Sequence, residues 1–314
     1  MAGPNRAAGH PSYDSGGASP FIPEVWAGKM VTKFYATTVF GEISSNDYEG
    51  LISNLGDKVK IRTRPTIAIS DYTIGGGLTY EKPTAPAVEL QIDNAKSFAF
   101  ELNDVDAYQS DQKLMDEFTD DASEQMQIVI DQDVLGSIFV DVAPVNAGSV
   151  AGKASGSIDL GAAGAPKALT RNNVIDWIVD IGIVLDEQNV PQTGRWLVLP
   201  PWICGLIKTS DLKDASLAGD QTSIVRNGKT GMIDRFTIYN SNNLNMATDS
   251  EAGGAKVTDV VAGHPAGLTW ASQMTKMGHI DNPNDFGQLV RGLNVYGYKV
   301  IEGNYLAHSR VARG

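Results

Sequence analysis

The sequence predicts an α+β fold, on three observations. Residues 56–102 alternate apolar and polar positions in short runs, the period of half-buried strands. Residues of about 104–141 then carry apolar side chains at three- and four-residue spacing, the period of a helix. Beyond residue 170, short helical and strand patterns intermix to the C-terminus.

Taken in order, residues 1–20 are rich in Gly, Ala, Pro and Ser and carry little that could build a core; alone, such a segment stays disordered. The chain turns apolar from Ile22 to Ile43, where Pro23-Glu24-Val25-Trp26 opens a short helical pattern with Val25, Trp26, Met30 and Phe34 on one face. Val59, Ile61 and Thr63 then alternate with Lys58, Lys60, Arg62 and Arg64. Ile67-Ala68-Ile69 continues the extended run, Gly75-Gly76-Gly77 makes a turn, and Pro83 and Pro86 keep the return path extended. Val88, Leu90 and Ile92 alternate again, followed by Phe98, Phe100 and Leu102. Residues 56–102 therefore read as a long two-stranded excursion. A lone hairpin is marginal in water, so this one is expected to rest on another surface.

The helix of about 104–141 has its stripe at Tyr108, Met115, Phe118, Ala122, Met126 and Val129, drifting on through Val134, Leu135 and Ile138. At that length it would span on the order of 55 Å. From Glu101 to Asp141 twelve acidic residues stand against one basic residue, Lys113, so nearly all of the chain's net charge of -12 sits on this segment. The acids crowd the N-terminal half, where the helix dipole favours them, and Gly136 is placed to weaken or end the helix.

Residues 143–168 form an Ala/Gly/Ser-rich connector. Thr170 is expected to cap a helix through Val174, Trp177, Ile178, Ile181, Val184 and Leu185. Arg195–Leu199 reads as a buried strand, and Pro200-Pro201 stops it and starts a short helix. Phe236–Tyr239 and Val257–Val261 are further strands with a polar loop, Asn240–Gly254, between them. Leu268–Met277 reads as a short helix, and Leu289–Val311 as paired strands.

With 314 residues, 42% hydrophobic and 20% charged, the chain is long enough for one large domain or two modest ones. The first residues lack a basic segment followed by an apolar run, and no stretch of about 18 apolar residues exists to cross a membrane. A pI of about 4.7 argues against general affinity for nucleic acid, although an acidic surface suits a wall that packed DNA must not stick to.

Catalytic signatures are missing. Gly228-Lys229-Thr230 imitates the end of a phosphate-binding loop, but the motif needs a Gly where Ser223 stands, so a surface turn is the reading. His10, His264, His279 and His308 are not at ligand spacing, and Cys204 sits among apolar neighbours as a buried thiol. Asp116, Glu117, Asp120, Asp121 and Glu124 lack a calcium loop's glycine and read as a solvated helix face. No cofactor, metal or catalytic residue is expected.

Several phrases, in their order, carry a resemblance. Pro23-Glu24-Val25-Trp26 leads into Thr37-Thr38-Val39-Phe40-Gly41. Gly56-Asp57-Lys58-Val59-Lys60-Ile61 precedes Asp71-Tyr72-Thr73, and Phe98–Asp106 precedes Gln109-Ser110. Arg195–Pro200 and Gly231–Phe236 with Tyr239-Asn240-Ser241-Asn242 complete the set. Over residues 20–310 the chain resembles the major capsid protein of tailed bacteriophages, with the Hong Kong 97-type coat fold.

The resemblance implies an N-terminal arm at 1–55, an extended loop at 56–102 lying over a neighbouring subunit, and a peripheral domain with a spine helix at 103–169. It also implies an axial domain at 170–285 and strands at 286–314 returning to the peripheral domain. The implied function is an icosahedral head shell enclosing double-stranded DNA in the virion, assembled in the host cytoplasm. The implied partners are its own copies as pentamers and hexamers, a separate scaffolding protein (the N-terminal segment is too short to hold a fused one), a portal protein, room for a decoration protein, and DNA held without sequence-specific binding. Lys58, Lys60, Arg62, Arg64, Tyr72, Tyr80, Lys82 and Trp26 are the expected inter-subunit contacts. Some relatives join a loop lysine to an asparagine; no crosslinking residue is assigned here, Lys82 being the candidate. Alternatives are an encapsulin-like compartment, a carboxylate-dependent enzyme and a monomeric β-rich binding module.

Overall fold

The computed structural model describes residues 36, 38–47, 58–63, 65, 67–74, 80–83, 87–103, 114–210, 231–282 and 287–314. The expected arm helix with Trp26, the glycine turn at 75–77, Arg64, the first turns of the long helix and the turn at 228–230 lie outside them.

Three sheets organise the rest. The first is a two-stranded antiparallel ribbon, β1 (Lys58–Arg62) with β2 (Ala87–Gln91). The second holds β3 (Asn94–Asn103), β10 (Leu268–Asp281) and β11 (Gly287–Val300) in the order β10-β11-β3, all antiparallel. The third is seven-stranded and mixed. It contains β4 (Lys167–Leu169), β5 (Arg195–Leu199), β6 (Met232–Ile233), β7 (Phe236–Asn240), β8 (Met246–Asp249), β9 (Ala255–Gly263) and β12 (Leu306–Arg313), ordered β4-β12-β9-β5-β7-β6 with β8 beside β9. The helices are α1 (Phe40–Ile43), α2 (Leu114–Leu135), α3 (Val174–Glu187) and α4 (Pro201–Thr209).

The seven-stranded sheet is the thermodynamic centre. All five residues of β5 are buried, and α3 covers the sheet with Val174, Trp177, Ile178, Ile181, Val184 and Leu185. The buried Arg195 at the start of β5 is neutralised by Asp186 on α3 at 2.6 Å and donates to the carbonyls of Pro191 and Val190. Burial works against the Asp186 charge, but the hydrogen bond and charge of Arg195, with the charge of Arg235, outweigh it and hold this carboxyl below the ordinary range. Pro201 opens α4 as expected. The cap of α3 is a correction: Asn173, not Thr170, precedes the helix, and its Oδ1 accepts from the Thr170 backbone N–H. The loop expected at 240–254 also contains β8, which pairs with β9.

The long helix ends where Gly136 breaks it. Ser137 then donates to the Asp133 carbonyl at 2.7 Å, and a 3-10 turn, Ile138–Asp141, follows. Its described 22 residues span about 33 Å. The stripe is corrected at two points: Phe118 and Val129 are exposed, and Ile130 with Val134 and Leu135 forms the buried face.

The segment 268–277, expected as a helix, is instead the first part of β10. Pairing with β11 runs from Leu268↔Val300 to Asp281↔Gln288, with a bulge between Ser272 and Met274. A long antiparallel partner decides this, not local preference. The two C-terminal strands do not pair with each other. β11 lies in the three-stranded sheet, whereas β12 pairs with β9 and β4.

Candidate inter-subunit surface

The ribbon leaves the body at a tight seat. An added Cβ at Gly297 on β11 would fall 2.2 Å from the Gln91 carbonyl oxygen, so only glycine lets β2 approach this closely. Ile61, Leu90 and Ile92 bury against Ala271, with Val295 and Ile301 packed beside them. The surface expected beneath the excursion is therefore, at its base, the chain's own three-stranded sheet. The excursion is two-stranded only to Gln91; Phe98, Phe100 and Leu102 belong to β3 in the other sheet.

Strand alternation sends Lys58, Lys60 and Arg62 to the opposite, exposed face. Across the ribbon they meet Gln91, Glu89 and Ala87, and among the described residues only Lys60 has an acidic partner, Glu89 at 3.2 Å. The face therefore keeps excess positive charge.

Between β1 and β2 the described residues, 63, 65, 67–74 and 80–83, belong to no helix or strand. Every described residue from 67 to 83 is exposed. Among them are large apolar side chains: Ile67 (63% exposed), Ile69 (97%), Tyr72 (70%), Ile74 (91%) and Tyr80 (89%). A hydrogen bond from the Ala68 N–H to the Glu81 carboxylate ties the two limbs together. Tyr72, Tyr80 and Lys82 lie on this loop. Ile69 and Ile74 were not singled out from the sequence. The signal available was an apolar run inside a Gly- and Pro-punctuated segment. Folded chains rarely leave such side chains in water without a partner for them.

The third feature is the acidic helix. Glu117, Asp120 and Glu124 are exposed along α2 at three- and four-residue spacing, one stripe on its surface. Two of the acids counted with them do structural work instead. Asp131 is buried; its Oδ1 accepts from the N–H groups of Val39 and Phe40, which open α1, and its Oδ2 accepts from Asn243. Burial pushes this carboxyl above the ordinary range, against those hydrogen bonds. Asp133 accepts from the Tyr296 hydroxyl at 2.6 Å, and burial together with Asp133 drives that phenol well up. These contacts join α1, the helix and two sheets into one body.

No group of three or more metal-ligating side chains occurs among the described residues, and no described helix is long and apolar enough to cross a membrane. Cys204 is buried.

Residues 89–307, more than half of the chain, match the family described as phage capsid protein. No curated protein matches. Among solved structures, the chain is similar to one from Mycobacterium phage Che8, at 24% identity over 93% of this chain and 98% of that one, with a TM-score of 0.75. It is similar to the capsid structure of the cyanophage P-SCSP1u at 15% identity, 98% and 100% coverage and a TM-score of 0.71. It is also similar to the mature capsid of bacteriophage PhiM1 at 16% identity, 93% of each chain and a TM-score of 0.67. At these identities the likeness establishes the fold, the Hong Kong 97-type expected from the sequence. The encapsulin-like alternative is not favoured. The chain belongs to the phage capsid protein family, as a structural subunit that associates with its own copies in the shell of the virion.

Proposed function

We propose that this chain is the major capsid subunit of a tailed phage, closing pentamers and hexamers into an icosahedral head around double-stranded DNA, and that it works by assembly with no catalytic turnover. The observation that carries the reading is the loop over 67–83, which holds five large apolar side chains in solvent. Such surface gains free energy only when a neighbour covers it. Residues 1–55 act as an arm, 56–102 as the loop over a neighbour, 103–169 with the acidic helix as a peripheral unit and 170–285 as an axial unit. Residues 286–314 return toward the peripheral unit through β11, which pairs with β3, while β12 lies in the seven-stranded sheet beside β9 and β4. A scaffolding protein, a portal protein and a decoration protein are the further partners, and DNA is enclosed without sequence reading behind an acidic wall that it does not stick to.

Lys58, Lys60, Arg62 and Arg64 meet the acidic stripe of a neighbour's α2. The spacings are of the same order: alternate strand residues repeat every ~6.7 Å, and helix residues three or four apart repeat every ~4.5–6 Å. Tyr72, Tyr80, Lys82 and Trp26 complete the contact set. The test is co-expression with the phage's scaffolding protein, followed by negative-stain imaging and sedimentation. The parent chain should form closed shells, and the double reversal Arg62→Glu with Arg64→Glu should impair them. Normal shells from the double variant would remove the charge contact. A stable monomer of the parent near 33.5 kDa under every condition would remove the capsid reading itself.

A further inference from the structure

The chain passes from the seven-stranded sheet to the three-stranded sheet at 264–267, between β9 and β10, and returns at 301–305, between β11 and β12. The two crossovers are bound to each other. The His264 N–H donates to the Tyr305 carbonyl at 3.1 Å, and the Ile301 N–H donates to the Gly267 carbonyl at 2.8 Å. An added Cβ at Gly263 would fall 2.9 Å from the Tyr305 carbonyl oxygen, so this approach needs glycine there. The first crossover is a 3-10 turn, Pro265–Gly267, and the His264 ring caps it: Nδ1 accepts from the Ala266 N–H at 3.1 Å. A backbone N–H only donates, so Nδ1 carries no proton and the imidazole is neutral, with its hydrogen on Nε2. Nε2 lies 3.7 Å from where a Cβ of Gly194 would stand, and the ring is hydrogen-bonded to the Thr193 backbone. One ring thus ties the crossover to the loop 191–194, which leads into β5.

We propose that His264 is a proton-operated latch on this double crossover. Neutral, it fastens the turn that carries the chain from one sheet to the other. A proton on Nδ1 sets two N–H groups against each other, frees the turn from its cap and loosens the Gly267–Ile301 bond that joins the crossovers, so the setting of one sheet on the other responds to acid. The surroundings favour the neutral ring. Arg195, at the start of β5, is the cation acting on it, and Asp186 is that cation's partner. On the return crossover Glu302 accepts from Asn304, and the other ionisable side chain is Tyr305. The loop 191–194 and the turn 265–267 hold no charged side chain. Burial holds the imidazole below the ordinary histidine range, against the Thr193 hydrogen bond and with the help of the Arg195 charge. With the folded value below the unfolded one, the latch contributes fully above the ordinary histidine range, and its contribution is lost as pH falls through the folded value. The latch belongs to the single chain, so its failure leaves the capsid reading untouched.

The experiment compares the unassembled full chain with its His264→Asn and His264→Ala variants by hydrogen exchange from about pH 7.5 to about pH 4.5, with rates corrected for the intrinsic effect of pH. In the parent, exchange at Ala266, Gly267 and Ile301 should quicken about fivefold on acidification, the size of one lost hydrogen bond. In His264→Asn it should not, because the amide oxygen accepts from the Ala266 N–H as in an Asx turn and does not titrate. His264→Ala, which has no cap, should exchange fast throughout. An NMR titration of the ring, assigned by its loss in the variants, should show the Nε2–H tautomer at neutral pH. Equal acid responses of the parent and the asparagine variant overturn the proposal. So does a ring that is charged, or protonated on Nδ1, at neutral pH.

Discussion

The strand β5 and the loop over 67–83 are opposite solutions to the same problem. In β5 every side chain is buried, including a charged one, Arg195, which is neutralised inside the chain. In the loop every described side chain is exposed, including isoleucines. The first region completes its interactions alone. The second does not among the described residues, and on the proposed reading its partners are neighbouring copies. A chain built this way would keep a centre whose stability is its own and an outlying limb whose stability belongs to the assembly.

The sharpest way to break this contrast is at the buried pair. Arg195→Ala leaves the half-buried Asp186 with Arg235 alone and takes the donors from the Pro191 and Val190 carbonyls, and it should cost about 3 kcal/mol. The ribbon supplies the control: Lys60 and Glu89 are 72% and 46% exposed, and Lys60→Ala should cost less than about 1 kcal/mol. Denaturant unfolding of the unassembled chain measures both. Equal costs would mean that the ribbon is as self-sufficient as the core.

A smaller effect comes from Asp131, which ties α1 to α2. Its carboxyl titrates higher in the folded chain than in the unfolded one because burial disfavours its charge. Its contribution is thus complete below the ordinary carboxylate range and is lost as pH rises through the raised value. Asp131→Asn removes the charge and with it that loss. Apart from a pH-independent cost where its new amide group meets the Asn243 amide, the variant should gain on the parent as pH rises from the ordinary carboxylate range through that raised value. Thermal unfolding of the two proteins across that range reads it directly, and parallel curves would show that another group governs this junction.

The same two regions explain what could be read from sequence. The ribbon was legible because lysine and valine alternate in a run short enough for local period to decide. β5 and α4 were legible because an apolar run ended at paired prolines. β10 was not: Leu268, Ala271, Met274 and Met277 fit a helical period, and what overrules it is a partner strand further along the chain. Asp131 was counted among the twelve acids with no role of its own, because its partners Val39 and Phe40 lie 92 and 91 positions away. The basic face of the candidate surface followed from alternation alone. The exposure of Ile69 and Ile74 did not, since sequence period says which residues share a face and nothing about whether that face is covered.

The smallest effect on the chain itself is expected at the loop, and there it separates the two regions most cleanly. Ile69→Ser with Ile74→Ser removes apolar surface that is 97% and 91% exposed, so the unassembled chain has no burial to lose and its stability should move by less than about 0.5 kcal/mol. Assembly should suffer, because each isoleucine withdrawn from a covered interface forfeits about 1.5–3 kcal/mol per site, repeated at every copy in the shell. Thermal unfolding of the free chain and sedimentation of the assembly mixture read the two halves. A fall in free-chain stability would mean that the loop folds onto its own body in solution, and unchanged shells would mean that these isoleucines face solvent on both sides of assembly. Only the pairing of an undisturbed chain with a failed shell is what a limb stabilised by its neighbours requires.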